Sequence, residues 1–324
     1  MSTPPPGRVL IVKAKGGFGN RILSAATGVV LADLTDRTAI IDWRDGEYLP
    51  KGQDAYPLLF ESPTELTASG FDDRTDVVPA IWSGRLSDHP TDVIHAFYPN
   101  EHSNPFVYRK LSIDLARPDT ESDLAVFWSY LPKMARVRHQ LARSRRFRGT
   151  STGDATRAVL EQYFRPKERV RSEVRALFEG RSRPIIGVHI RYTDRKVSLE
   201  RITSEVARLR RRVPAAAIFL ATDNEAVQAK FRARFSNVFV IDKVLGDDAN
   251  SLHEHVELDD PLHEAENALI DMWALSSCDW LVHSRQSTFS VAAAIIGDIP
   301  VSRQRDIDRW NVRVVVKRWI QTWA

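Results

Sequence analysis

The residues best suited to chemistry follow an apolar run in the second half of the chain. Residues 185–190 form this run, and Arg191 comes directly after it. A planar guanidinium can donate two parallel hydrogen bonds to a diphosphate. Asp194 and Arg195 place both signs of charge close by. The pattern indicates a diphosphate site, and a strand end followed by a solvated charged turn is the alternative.

Two further apolar runs also end in polar side chains. Residues 216–221 form the first of these runs, and Asp223 lies two positions after its end. The Asp223 carboxylate could accept a hydrogen bond from a ribose or a base, or it could cap a helix. Residues 280–283 precede a hydroxyl-rich stretch that includes Ser287 and Thr288 and opens a predicted helix. Free N–H groups at a helix N-terminus with hydroxyls beside them bind anions, and ordinary capping is the alternative.

Two other segments carry weaker signals. Gly17 and Gly19 flank an aromatic residue, but the loop lacks the third glycine of a dinucleotide fingerprint and the ending of a P-loop. Asp271 lies in an otherwise apolar helical stretch, where a buried carboxylate needs a partner.

The sequence offers poor candidates for metal ligands. Asp306 and Asp308 form a D-x-D pair, which some sugar transferases use to hold a divalent ion, but this pair lies in the charged tail region. His253, His255 and His263 lie near one another without the spacing of metal ligands. We therefore predict a protein that works without a metal.

The elements that must position these residues alternate between strand and helix. After residue 183, strands are predicted over 185–191, 216–221, 238–241 and 280–283, with helices between them. This alternation predicts a parallel sheet with ligands at the carboxyl ends of its strands. A strand over 8–13, a glycine loop, a helix from residue 20 and a strand over 39–43 form an earlier αβ unit. In residues 45–123 the apolar runs are short and Pro, Gly, Asp and Ser recur, which predicts short strands, short helices and long loops.

Composition narrows the class of protein. The 324 residues carry 46 Lys and Arg against 42 Asp and Glu, a net charge of +4 that does not suggest a nucleic-acid binder. One cysteine excludes an internal disulfide, and no apolar run approaches the roughly 20 residues of a membrane span. We predict a cytoplasmic protein. The basic stretch 133–148 indicates either a solvated helix face or a patch for an anionic partner.

The order of these segments resembles a known family. The chain has an H-x-R-x-T-D motif at 189–194, a strand that ends in Thr222-Asp223, the segment 269–272 around Asp271, and a helix that opens at Ser287. Together they resemble the GDP-fucose-dependent fucosyltransferases of the α-1,6 and protein O-fucosyl superfamily, and within it the rhizobial nodulation α-1,6-fucosyltransferases. The resemblance covers residues 8–43 and about 165–298.

The resemblance implies a fold and a set of roles. The fold is GT-B, with two Rossmann-like α/β domains facing across a cleft: an acceptor-side domain over 1–180 and a nucleotide-sugar-binding domain over 181–324. Arg191 would hold the donor diphosphate, and Asp194 or Glu200 would be the base. The remaining implied binding residues are His189 and Asp271 at the guanosine; Asp223, Ser287, Thr288 and Phe289 along the nucleotide; and Gly17, Phe18, Gly19 and Asn20 from the other domain. Tyr192 stands where some relatives have a second basic residue, and Arg195 is the remaining candidate for that contact.

The function that follows is transfer of fucose from GDP-fucose to a glycan hydroxyl, without a cofactor. The acceptor could be a chitin-like oligosaccharide, another bacterial glycan or a peptide hydroxyl. One alternative is a transferase of the same fold that uses another nucleotide sugar. A second is a nucleotide-sugar or glycan-binding protein without catalysis, and a third is a nucleic-acid binder acting through the basic stretch.

Overall fold

The computed structural model describes residues 7–101, 104–192, 197–246 and 260–323. The chain divides into two compact units. The first runs up to Arg165 and includes the chain from Lys317 onward, and the second is Pro166–Val316. The boundary predicted after residue 180 follows the helix Glu168–Phe178, whereas the division between the two units precedes this helix. The helix Glu168–Phe178 packs against the helix Pro261–Ser276, so it lies in the second unit.

The first unit is built on a four-stranded parallel sheet. Its strands are β1 (Val9–Lys13), β2 (Thr38–Asp42), β3 (Val77–Val78) and β4 (Leu124–Trp128), in the order β2-β1-β4-β3. Its helices are α1 (Phe18–Leu34), α2 (Tyr56–Leu59), α3 (Pro90–Phe97), α4 (Pro105–Tyr108), α5 (Met134–Val137) and α6 (Thr152–Tyr163). Every residue of β1 and β4 is buried, as expected for parallel strands covered on both faces.

The second unit is a five-stranded parallel sheet in the order β7-β6-β5-β8-β9. The strands are β5 (Ile185–Ile190), β6 (Ala217–Thr222), β7 (Val238–Phe239), β8 (Trp280–His283) and β9 (Gln304–Asp306). The helices are α7 (Glu168–Phe178), α8 (Leu199–Arg212), α9 (Glu225–Arg234), α10 (Pro261–Ser276) and α11 (Thr288–Ile296). The helix α12 (Val312–Trp323) begins in this unit and ends in the first. The predicted alternation is confirmed, with β9 as an additional strand.

The core of the second unit explains why this alternation folds as it does. Ile202, Val206 and Leu209 recur at helical spacing on α8 and are fully buried. They pack with the apolar residues of β5 and β6, while the arginines at the end of α8 lie on its outer side. Within the described ranges, no helix has the length and apolar content needed to cross a bilayer.

The end of α10 approaches β5 very closely. A Cβ atom added at Gly187 would lie 3.0 Å from Cys278 Sγ, so a larger residue there would push the two elements apart. Cys278 is buried, and its Sγ donates to Ala274 O at 3.3 Å. Burial raises the pKa of this thiol well above its usual range.

In the first unit, α1 packs on the sheet with the same closeness at Gly28. A Cβ added at Gly28 would lie 2.7 Å from Phe127 Cδ1 and 2.9 Å from Val12 Cγ2. Both neighbours are buried strand residues and have no room to move aside.

Gly28→Ala is therefore expected to lower the free energy of unfolding by about 1–3 kcal/mol, because the added methyl group overpacks the α1–sheet interface. The measurement is urea denaturation. The control is Gly153→Ala on α6, where the nearest atom to the new Cβ is 3.6 Å away. Alanine exceeds glycine in helix propensity. A Gly28→Ala variant as stable as wild type would therefore contradict the close packing.

Candidate active site

The ends of β5 and β6 bring two of the sequence-predicted residues together. Ile190 pairs with Thr222 in the sheet, so Arg191 and Asp223 follow neighbouring strands at the same edge. The backbone N–H of Tyr192 donates to Asp223 Oδ1 at 2.8 Å. The predicted convergence at the carboxyl edge is therefore found for these two segments.

Asp223 does not cap the helix that follows it. Asn224 has this role, because its Oδ1 accepts from Val227 N at 2.9 Å at the first turn of α9. Asp223 instead ties the end of β5 to the end of β6, and its carbonyl accepts from Gly246 N at 2.9 Å. The carboxylate is thus held at the sheet edge.

Asp271 forms a buried ion pair that the sequence analysis did not predict. Asp271 is 3% exposed, and Lys243 Nζ donates to its Oδ2. Its other oxygen, Oδ1, is buried and has no hydrogen-bond partner within the part of the chain that the structure describes. Burial raises the pKa of Asp271, the positive charge of Lys243 opposes this rise, and the charge of Asp223 adds to it. Lys243 follows β7, so its position after a strand of the same sheet was the signal that could have found it.

His189 is held as a neutral ring. It stacks on Phe289, with ring centroids 5.1 Å apart and an interplanar angle of 21°. Burial, together with the charges of Arg191, His283 and Lys243, lowers the pKa of His189 to about 3. At neutral pH this imidazole carries no charge, so it suits stacking and hydrogen bonding rather than proton transfer.

The N-terminus of α11 lies at the same edge, and the side chain of its N-cap residue does not cap the first turn. Ser287 is the residue before the helix, but its hydroxyl accepts no hydrogen bond from a helix N–H. Ser287 Oγ is buried, and no described residue forms a hydrogen bond with it. The first turn of a helix presents N–H groups that have no helical acceptor. Ordinary capping by Ser287 is therefore absent, and the arrangement suits an anion at Thr288 and Phe289.

The D-x-D carboxylates are engaged in holding the loop between β8 and α11. Asp308 Oδ2 accepts from Ser284 Oγ and from Gln286 Nε2, the latter at 3.2 Å. Asp306 accepts from Arg285 N at 3.0 Å and pairs with Arg285 Nε at 2.8 Å. In the part of the chain that the structure describes, no group of three His, Cys, Asp or Glu is placed to hold a metal ion.

Of the two candidate bases, Glu200 is among the described residues and Asp194 is not. Glu200 is exposed on the first turn of α8. It lines a polar pocket of about 550 Å³ together with Arg201, Asp306 and Trp310. Asp194 and Arg195 lie outside the described residues.

The glycine loop belongs to the first unit. Gly17 precedes α1, where residues 18–20 form the first turn, and Phe18 stacks on Tyr48 with centroids 4.4 Å apart. Arg21 is buried beneath this loop, where it donates to the Gly16 carbonyl and pairs with Asp45. Sequence reasoning missed Arg21, although a lone arginine early in an apolar helix was an available signal.

This fold and edge define a class of protein. The two parallel α/β units, the second in the 3-2-1-4-5 strand order of a Rossmann fold, have the GT-B fold. Two solved structures share the fold. NodZ α-1,6-fucosyltransferase soaked with GDP-fucose has 22% identity and a TM-score of 0.61, with 90% of this chain and 92% of that chain covered. POFUT1 in complex with GDP-fucose has 12% identity and a TM-score of 0.52, with coverages of 94% and 98%.

The chain belongs to the nodulation protein Z (NodZ) family, whose family profile matches residues 150–316. Nodulation protein Z of Azorhizobium caulinodans is 23% identical over 311 residues, which are 87% of this chain and 86% of that protein. The family resemblance that the motif order predicted is confirmed.

The buried pair predicts a specific pattern of stability. Lys243→Met is expected to lower the free energy of unfolding by about 3 kcal/mol, because Asp271 is left buried without its cation. The double variant Lys243→Met, Asp271→Asn is expected to recover much of this loss, because the uncompensated carboxylate is gone. Urea denaturation measures both. A double variant that loses as much as the two single variants combined would contradict the pairing.

Proposed function

We propose that this chain transfers fucose from GDP-fucose to a hydroxyl group of a glycan. The observation that carries the proposal is the NodZ family match over residues 150–316, which includes Arg191, Asp223, Asp271 and the start of α11. The NodZ α-1,6-fucosyltransferase structure was soaked with GDP-fucose, and the POFUT1 structure is a complex with GDP-fucose. These relatives support the choice of donor.

Arg191 would bind the donor diphosphate. Sugar transfer passes through an oxocarbenium-like transition state, and negative charge builds up on the departing diphosphate. A guanidinium fixed at the carboxyl end of β5 can stabilise that charge without reorganisation. The N-terminus of α11 would share this charge, because a helix N-terminus favours anions.

The guanosine would lie against Asp271, His189 and Phe289. Among the described residues Asp271 Oδ1 has no hydrogen-bond partner, so it would accept from an N–H or O–H of the nucleoside while Oδ2 stays paired with Lys243. The His189–Phe289 stack offers a flat, uncharged wall. Asp223 and Ser287 would line the same nucleotide, as the resemblance implies.

We propose that the reaction needs no divalent ion. Supporting this, the D-x-D carboxylates already bind Ser284, Gln286 and Arg285, so recruiting them to a cation would break the loop that leads into α11. Arg191 and the helix N-terminus would supply the positive potential instead.

The acceptor side stays a prediction. Asp194 and Glu200 are the two candidate bases, one of which would take the proton of the attacking hydroxyl. Arg195 remains the candidate for a second cationic contact with the donor. Gly17, Phe18, Gly19 and Asn20 would contribute from the first unit, whose acceptor-side role is proposed with them. A chitooligosaccharide-like acceptor with α-1,6 linkage is the proposal, and the predicted cytoplasmic location also stays a prediction.

Two alternatives make different predictions for the same site. A same-fold transferase with another donor would prefer a different nucleotide, because the edge recognises base and diphosphate together. A binding protein without catalysis would bind GDP-fucose but release no GDP when an acceptor is added.

The donor prediction is tested by turnover and binding. The full chain, with GDP-fucose and chitooligosaccharides in buffer containing EDTA, is expected to release GDP in step with fucosylated product. Calorimetry is expected to show binding of GDP and much weaker binding of UDP and CMP. Preference for UDP or CMP would overturn the fucose assignment. Loss of turnover in EDTA that manganese restores would overturn the metal-free mechanism alone.

The role of Arg191 is tested by two substitutions. Arg191→Ala is expected to lower the rate at saturating donor about 100–1000-fold, because a preorganised donor to developing charge is lost. Arg191→Lys is expected to rescue little, because an ammonium is a point charge and cannot make the bidentate contact.

The matched control is Arg211→Ala, which removes an exposed arginine from α8 and is expected to keep wild-type turnover. Circular dichroism checks that each variant folds. A folded Arg191→Ala enzyme that keeps more than about a tenth of the wild-type rate would refute the assignment, because a tenfold loss is only about 1.4 kcal/mol of barrier.

A further inference from the structure

The helix α12 turns an apolar stripe toward solvent. Val312, Val316, Trp319 and Trp323 recur at i, i+4, i+7 and i+11, the spacing of one helix face. Val312 is 72% exposed and Trp319 is 63% exposed. Val315 and Ile320 flank the stripe and are also exposed. We call these six side chains the apolar face of α12.

This exposure is concentrated rather than scattered. Among the large apolar side chains exposed in the described part of the chain, seven of thirteen lie between Trp310 and Trp323. Trp310 directly precedes the helix and is 83% exposed. Single exposed apolar residues are normal on soluble proteins, but a contiguous patch of this kind marks a surface that binds something.

The charge of α12 has one sign. The helix contains Arg313, Lys317 and Arg318 and no acidic residue. Arg313 and Lys317 are exposed and lie beside the apolar face, because they follow Val312 and Val316 by one position each. An apolar face that contains tryptophan and is bordered by cations is typical of helices that lie in a membrane interface.

The end of α12 belongs to the first unit, and further cationic side chains of that unit lie beside it. Arg109 Nη2 donates to the Trp323 carbonyl, and Arg109 and Lys110 are both exposed. Phe106, one helical turn earlier, is 62% exposed and lies 5.5 Å from the Arg109 guanidinium.

The basic stretch 133–148 begins at the same place. Burial, together with the charges of Arg136 and Arg109, lowers the pKa of Lys133 to about 8. A concentration of positive charge of this kind suits an anionic partner.

We propose that the apolar face of α12 and the neighbouring cations Arg109 and Lys110 form a docking surface for an anionic phospholipid bilayer. The apolar side chains would enter the boundary between headgroups and acyl chains, with the tryptophans at headgroup level. Arg313 and Lys317 would lie at the lipid phosphates. A second copy of the chain fits less well, because two apposed α12 helices would bring the cations of both copies together without an acidic residue in either helix.

The test is flotation of the full chain with vesicles, without any sugar donor. The protein is expected to float with vesicles of equal parts phosphatidylcholine and phosphatidylglycerol and not with phosphatidylcholine alone. Raising the salt concentration is expected to weaken binding, because exposed charges are screened. Arg313→Gln and Lys317→Gln are each expected to weaken binding about fivefold. Lys230→Gln and Arg232→Gln, on the exposed side of α9, are the matched controls and are expected to leave binding unchanged.

The double variant Trp319→Ala, Trp323→Ala is expected to lose flotation, whereas Phe97→Ala, which removes an exposed aromatic ring from α3, keeps it. No flotation of the wild type with the anionic vesicles would overturn the proposal, and so would equal flotation of the double tryptophan variant. A wild-type dimer in analytical ultracentrifugation that this variant abolishes would assign the face to self-association instead. GDP release by the variant with a soluble acceptor is expected to match wild type, so failure of this proposal is distinct from failure of fucosyl transfer.

Discussion

The pairing of β5 with β6 on one side and β8 on the other is the constraint on which the candidate site depends. Crossovers between parallel strands are right-handed, so the chain that leaves β5 and the chain that leaves β8 depart on opposite faces of the sheet. A crevice opens between them at the carboxyl ends. Arg191 and the N-terminus of α11, nearly a hundred residues apart in sequence, are brought to that crevice by backbone hydrogen bonds of the sheet.

A buried charge at this edge of the sheet needs a partner of opposite charge or a hydrogen-bond donor. These partners come from elements that are distant in sequence. Asp271 comes from the middle of α10, and its cation comes from the segment after β7. The loop before α11 is held by carboxylates from β9 and the residue two positions beyond it. Such contacts are stronger in a partly buried setting than in water, and they fix side chains before any ligand arrives. These contacts therefore hold the polar side chains at this edge of the sheet in place.

The sequence predicted what depends on local pattern. The run 280–283 is the strand Trp280–His283, and the alternation after residue 183 gives the parallel sheet, because buried parallel strands are apolar throughout. β9 was not predicted because Gln304–Asp306 is polar and forms a strand only by pairing with β8. The sequence did not reveal Lys243 because its partner Asp271 is 28 residues away. It left two roles for Ser287, anion binding and helix capping, because a hydroxyl residue at the start of a helix usually caps that helix. The short helices of residues 45–123 offer no periodicity to detect.

The lone cysteine has a practical consequence for experiments on the whole enzyme. Cys278 is packed between α10 and β5, and its thiol is kept protonated, so it reacts slowly with alkylating reagents, for which the thiolate is the nucleophile. A cysteine introduced on the surface of either unit would therefore accept a maleimide dye while the native residue stays unlabelled. Pairs of such positions make the chain suitable for fluorescence energy transfer between its two units without any substitution in the core.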